Sequence, residues 1–356
     1  MAATRARDDL LLAGTGRALI TPPAGFAIYS PEFGPRPSTG IDDDLLAKVL
    51  LFEAEGRRAA LCTLDVWGIS AQLRSDIANA VASAVKTYSS LVWVTCTGNG
   101  ASPPLWEGAS ADRRYGPYMS YLTDLCGGAG VQARESLGRG AIGVSSTALT
   151  DVTTGAGGKG HEADSAVNIA SVVDEESRPV AQLLSFSCPA IIRGDEGRWT
   201  SDFPGYASWA LERAGSGLVM FARGSDADVM PYDWYDGNDS PSHREREAVD
   251  VQALGLLLAT QVAAATRQVE TRRNVSIETA ADDEKGIHVL RTGPLVCISV
   301  ARPQPAVFAR HLRRAMPRST AIVSTNVSGL PPGQGRELDV DLELTTLEVA
   351  RAAGAQ

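Results

Sequence analysis

The sequence reads as an α/β protein of layered mixed sheets with flanking helices, and three observations predict this. Residues 59–95 alternate strand, amphipathic helix and strand, the pattern of a βαβ unit with parallel neighbours and a right-handed crossover. Leu338, Val340, Leu342 and Leu344 alternate with Glu337, Asp339, Asp341 and Glu343, a period-2 row that predicts an antiparallel strand with one buried face. Hydrophobic residues make up 44% of the 356 and charged residues 21%, so the chain can build a large core and is too apolar for wholesale disorder.

Each element follows from local pattern. Residues 11–21 form a first strand that ends at Pro22-Pro23. Residues 59–66 are a buried strand. Leu73, Ile77, Val81 and Val85 recur every four positions as one helix stripe, and 91–95 return as a strand. Cys96 therefore falls at the C-terminal end of a strand, where α/β folds place their ligands. Further helices are expected at about 117–137, 205–214, 244–267 and 305–315, with Gly127, Gly128 and Gly130 weakening the first. Arg178-Pro179 punctuates a hairpin leading into a strand at 180–187, and late strands read at 295–301 and 320–325. No internal repeat and no linker-like stretch is visible. One domain is expected over 12–349, with tails at 1–11 and 350–356.

A net charge of −9 argues against a nucleic-acid binder or an anionic-membrane binder, which needs a basic face. No apolar run approaches the roughly 18 residues of a membrane span, and the apolar run at 10–12 is too short for a signal segment, so the reading is a cytoplasmic protein. Five widely spaced cysteines (62, 96, 126, 188 and 297) without a C-x-x-C pair read as free thiols in a reducing compartment.

Four motifs stand in order along the chain: A-G-T-G-R-A-L-I-T-P-P-A-G at 13–25, L-D-V-W-G at 64–68, S-D-F-P-G-Y-A at 201–207 and A-R-G-S-D-A-D-V-M-P at 222–231. Between them lie T-C-T-G-N-G-A-S-P at 95–103 and S-F-S-C-P at 185–189. Together they resemble the N-terminal domain of the neutral/alkaline (non-lysosomal) ceramidase family. The resemblance implies that family's fold and a zinc amidase chemistry, in which a metal-bound water attacks an N-acyl carbonyl. It also assigns positions. Two zinc-binding histidines fall on Cys96 and Cys188, a further active-site histidine on Gly98, a glutamate on Gln304 and a tyrosine on the segment 326–332, which holds none. All four histidines (161, 243, 288 and 311) lie outside these motifs.

The residues themselves therefore point to a metal-independent protein without a cofactor. Cys96 and Cys188 are open to four readings: small core residues, a thiolate nucleophile, ligands of a different metal, or a reversible disulfide. Asp202 and Asp228 are candidate general bases, although Asp202 also suits a helix start. Thr97, Asn99, Ser102 and Arg223 are candidates to hold an anionic leaving group. Tyr232 and Trp234, set among aspartates, suit an ammonium-bearing ligand through charge and cation–π attraction. The expected function is intramolecular displacement or cyclisation, without hydrolysis, on a small amine-bearing metabolite of specialised metabolism. The alternatives are a non-catalytic subunit of a hetero-complex and a C–N hydrolase using the cysteines or a rebuilt metal site. A second copy of the chain is a further candidate partner.

Overall fold

The computed structural model describes residues 10–29, 35–106, 113–155, 163–193, 197–231, 243–325 and 338–356, without side chains at 154 and 243–250. One topological unit occurs three times. Leu12–Leu19 (β1), Leu46–Ala54 (β2) and Arg57–Leu64 (β3) make an antiparallel meander, and Ala71–Val85 (α1) crosses to Val92–Cys96 (β4), parallel to β3. Tyr115–Glu135 (α2) follows. Gly138–Ala148 (β5), Ala166–Asp174 (β6) and Pro179–Phe186 (β7) repeat the meander, and Asp202–Arg213 (α3) crosses to Leu218–Arg223 (β8), again parallel. After His243–Ala265 (α4) the pattern returns in Ile277–Asp282 (β9), Ile287–Thr292 (β10), Leu295–Val300 (β11), Ala306–Ala315 (α5) and Thr320–Thr325 (β12), followed by Val340–Ala352 (α6).

This repeat is hidden from the sequence because the units share connectivity rather than side chains. The hairpins entering β3, β7 and β11 each use positive φ, but with different residues: Glu55 and Gly56 in the first, Ser177 in the second and Gly293 in the third. The first and third are two-residue turns of the kind a tight hairpin favours, but only the first has positive φ at both positions.

The first two units join through β1 and β5. They form a nine-stranded mixed sheet in the order β8-β7-β6-β5-β1-β2-β3-β4, with Thr271–Arg272 added beside β5. The third unit is a separate four-stranded sheet packed on one face of the first, where Phe52, Trp93, Leu183 and Met220 meet Leu290, Cys297 and Ile322. On the opposite face, α1 and α2 cover the first half of the large sheet, and α3 and α4 cover the second. Helices α5 and α6 cover the outer face of the small sheet. The result is a helix–sheet–sheet–helix sandwich, the layered α/β class expected from sequence. Among the described residues no helix is long and apolar enough to cross a membrane.

The opening A-G-T-G is explained by packing. A Cβ at Gly14 would stand 2.1 Å from the Ala133 carbonyl oxygen, and one at Gly16 2.0 Å from that of Ala129. The two glycines let α2 lie directly on β1.

Two expectations are corrected. The acid-alternating row at 338–344 is not a strand but the start of α6. Asp339 caps that helix by accepting from the Leu342 amide at 2.9 Å. Leu342, Thr346 and Ala350 then bury one face at helical spacing, while Val340 and Leu344 face outward. Residues 350–356 are not a loose tail either: Ala350, Ala353 and Ala355 are buried in the core over the small sheet. Strands β2, β5, β9 and β10 lie outside the elements expected from sequence, and β6 is the unspecified first arm of the hairpin expected at 178–179.

Candidate functional site

The C-terminal ends of the three parallel strand pairs, β3/β4, β7/β8 and β11/β12, lie together, where α/β proteins place their ligands. Asn99 after β4 bridges Ala190 after β7, Thr95 of β4 shares a hydrogen bond of 2.5 Å with Ser324 of β12, and Thr325 donates to the Gly224 carbonyl after β8 at 3.4 Å. Arg223, the last residue of β8, is buried there at 4% exposure. Its Nε donates to both carboxylate oxygens of Asp226 at 2.8 Å, and its guanidinium lies 4.3 Å from the Trp67 ring centroid. Among the described residues, Arg223 Nη1 has no hydrogen-bond partner, nor have the buried hydroxyls of Thr97 and Ser225 on the adjoining loops. Gly98 is in the left-handed region (φ +74°), and a Cβ there would stand 2.4 Å from Arg223 Cδ. The arginine occupies the space a side chain at 98 would need.

Cys96 and Cys188 flank this arginine but face different cores. Cys96 points under α1 and α2, near Cys126 and Cys62, and Cys188 points under α3 and α4. Burial pushes the Cys96 thiol up to about 12, against the pull of Arg223. Burial also pushes Cys188 well up, helped by Asp226 and Asp202. Both are protonated thiols at neutral pH, packed as small apolar groups, and all five cysteines are free.

The other expected residues divide by role. Asn99 donates from Nδ2 to the carbonyls of Asp65 (3.2 Å) and Thr200 (2.6 Å) and accepts from the Ala101 amide at 2.9 Å. Ser102 donates to the Asn99 carbonyl at 2.6 Å and accepts from the Trp67 amide at 2.9 Å. These two shape the loop; Thr97 keeps an unused hydroxyl. Asp202 opens α3 at φ +54°, fully buried, and accepts from the amides of Phe203 (2.7 Å) and Arg193 (2.8 Å). Burial pushes it up to about 6. Asp228 accepts from the Ala306 amide at 2.7 Å, tying the β8 loop to the start of α5. Tyr232, Trp234 and the segment 326–332 lie outside the described residues.

A divalent metal does not fit the described part of this site. No three His, Cys, Asp or Glu side chains gather as a metal requires among the described residues, and the permanent charge of the Arg223 guanidinium acts on both thiols. The Arg223–Asp226 pair was legible only as an R-x-x-D spacing; nothing local marks it as buried.

Beyond Asp65 the strand end opens into a cavity of about 400 Å³ that also meets Asp43, Lys48 and Glu212. Asp65 accepts from the Leu46 amide at 2.9 Å. Burial pushes its carboxyl from 3.8 to about 6, with Lys48 pulling down and Asp43 and Glu212 adding to the rise. The native state therefore holds this proton longer than the unfolded chain does. The stability it contributes is present below pH ~4, declines as pH rises to ~6 and is level above, by about 2–3 kcal/mol in all. Urea midpoints between pH 4 and 7 should show a shallower fall in Asp65→Asn than in the wild type; parallel profiles would refute the assignment.

Comparison with known proteins adds the fold alone. No family model matches the chain, and no curated protein matches its sequence. Among solved structures, neutral ceramidase from Pseudomonas aeruginosa superposes with a TM-score of 0.75 at 14% identity, over 97% of this chain and 74% of that one. A structure of a ceramidase complexed with C2 superposes with a TM-score of 0.70 at 12% identity, over 97% of this chain and 75% of that one. The chain thus has a ceramidase-like fold.

Proposed function

We propose that the chain is a metal-independent enzyme on a ceramidase-like scaffold, with the Arg223 guanidinium beside Cys96 and Cys188, the two positions to which the family resemblance assigns zinc ligands. The observation that carries this reading is the buried Nη1 of Arg223, which is unpartnered among the described residues, as are the hydroxyls of Thr97 and Ser225. Three buried donors without acceptors call for an oxyanion, because leaving them unpaired costs each its desolvation energy. A cationic anion cradle with no metal-activated water suits displacement rather than hydrolysis. An amine nitrogen of the substrate forms a C–N bond as a C–O bond breaks. The electron pair departs on the oxyanion, which Arg223, Thr97 and Ser225 stabilise. Asp228 accepts the amine proton.

Inorganic phosphate is the first probe. Its binding should raise the melting temperature of the wild type, and this shift should be lost in a Thr97→Val/Ser225→Ala variant, which keeps the Arg223–Asp226 pair. An equal shift in both proteins would refute the cradle. About one transition-metal ion per chain, in protein purified without a His tag or chelator, would refute metal independence.

A further inference from the structure

We infer that the cavity beside Asp65 is a binding site for a small organic cation, a primary amine or diamine. Its wall carries five carboxylates against two basic side chains, Arg17 and Lys48. Two of the carboxylates are already paired. Asp42 is held by Arg193 at 2.9 Å and by Arg198, while Glu212 is held by Arg17 at 3.4 Å and Lys48 at 3.5 Å. The other three have only neutral donors among the described residues. Asp43 accepts from Thr200 and Ser201, Asp44 from Thr21 Oγ1 at 2.8 Å, and Asp65 from the Leu46 amide. Asp65 is 8% exposed, so its charge sits in a poorly screened place.

Acidity alone does not make a site, and a second feature points the same way. Ser208 lines the cavity at 5% exposure, and its hydroxyl has no hydrogen-bond partner among the described residues. An ammonium group would donate to Asp65 and Ser208 together. The wall also carries Tyr206 and Trp209, the latter 58% exposed, which offer ring faces to the alkyl chain and the charge. The volume lies in the range of small-molecule pockets, far larger than one metal ion needs.

This proposal deepens the reading above by placing the amine of the substrate, and it rests on that reading only for the reaction. The test is calorimetric titration of the whole chain with 1,4-diaminobutane, its neutral counterpart 1,4-butanediol and magnesium chloride. Saturable binding of the diamine alone is expected, weakened at least tenfold by Asp65→Asn and several-fold by Asp44→Asn and Ser208→Ala. Asp44 is exposed, so its variant keeps the test valid if Asp65→Asn fails to fold. No diamine binding, equal binding of the diol, competition by magnesium, or unchanged affinity in folded Asp44→Asn and Ser208→Ala would each overturn the site. The Thr97→Val/Ser225→Ala variant should bind diamine like the wild type, so failure of the anion cradle and failure of this cavity are read separately.

Discussion

Arg223→Ala should lower stability by about 3–5 kcal/mol, one of the two largest single-site effects expected in this chain. The reason is the partner left behind. Asp226 is 3% exposed, and Arg223 is what opposes the rise that burial imposes on its carboxyl. Without the guanidinium the carboxylate must take up a proton or stay buried and unpaired. Arg223 also loses its contact with Trp67. The double variant Arg223→Met/Asp226→Leu should recover most of the loss, since well-packed apolar groups replace a buried pair at little cost. It should nonetheless bind no phosphate. Urea midpoints of the three proteins measure both effects. An Arg223→Ala protein within 1 kcal/mol of wild type would show that the pair is open to water, and the cradle with it.

Gly98→Ala should cost about 2–4 kcal/mol and abolish phosphate binding at the same time. The cost has two sources. A non-glycine residue at φ +74° is strained by roughly 1 kcal/mol, and a Cβ 2.4 Å from Arg223 Cδ must push the arginine out of its slot, an overpacking cost of about 1–3 kcal/mol. The two sources separate in a double-mutant cycle. On an Arg223→Ala background, Gly98→Ala should cost only the backbone strain, so the two substitutions should be non-additive by at least 1 kcal/mol. Strict additivity would mean that the two positions do not share a volume, contrary to the geometry.

Much of the scaffold was legible. The α1 stripe, the crossover to β4 and the position of Cys96 at a strand end follow from periodicity and chain reversal, which are local properties. The row at 338–344 failed for a local reason as well. Its alternation fits strand and helix alike over one turn, and the Asp339 cap decides for helix. Strand β5 mixes buried and half-exposed positions without a clean period, and β6 is buried along most of its length but carries Asn168 and Ser171 within its apolar run, so neither has a local strand signature. At the site, the strand-end loops and Arg223 were visible as candidates. Asp226 as its partner and the cavity beyond Asp65 were not, because neither has a sequence signature.

The sequence by itself determined the class of the fold, the order of its crossover unit around 59–95 and the presence of thiols, a glycine and a glutamine where the family it resembles has metal ligands and an active-site histidine. Only the tertiary structure decided that three units repeat, that Cys96 and Cys188 face separate cores, and that Arg223 fills the space beside Gly98. Elements form from contacts a few residues apart, so their pattern is written locally. The cradle joins Gly98 to Arg223, and the cavity joins Asp65 to Ser208, across more than a hundred residues each. Burial, charge and unpaired donors at such sites come into being only when distant strand ends meet.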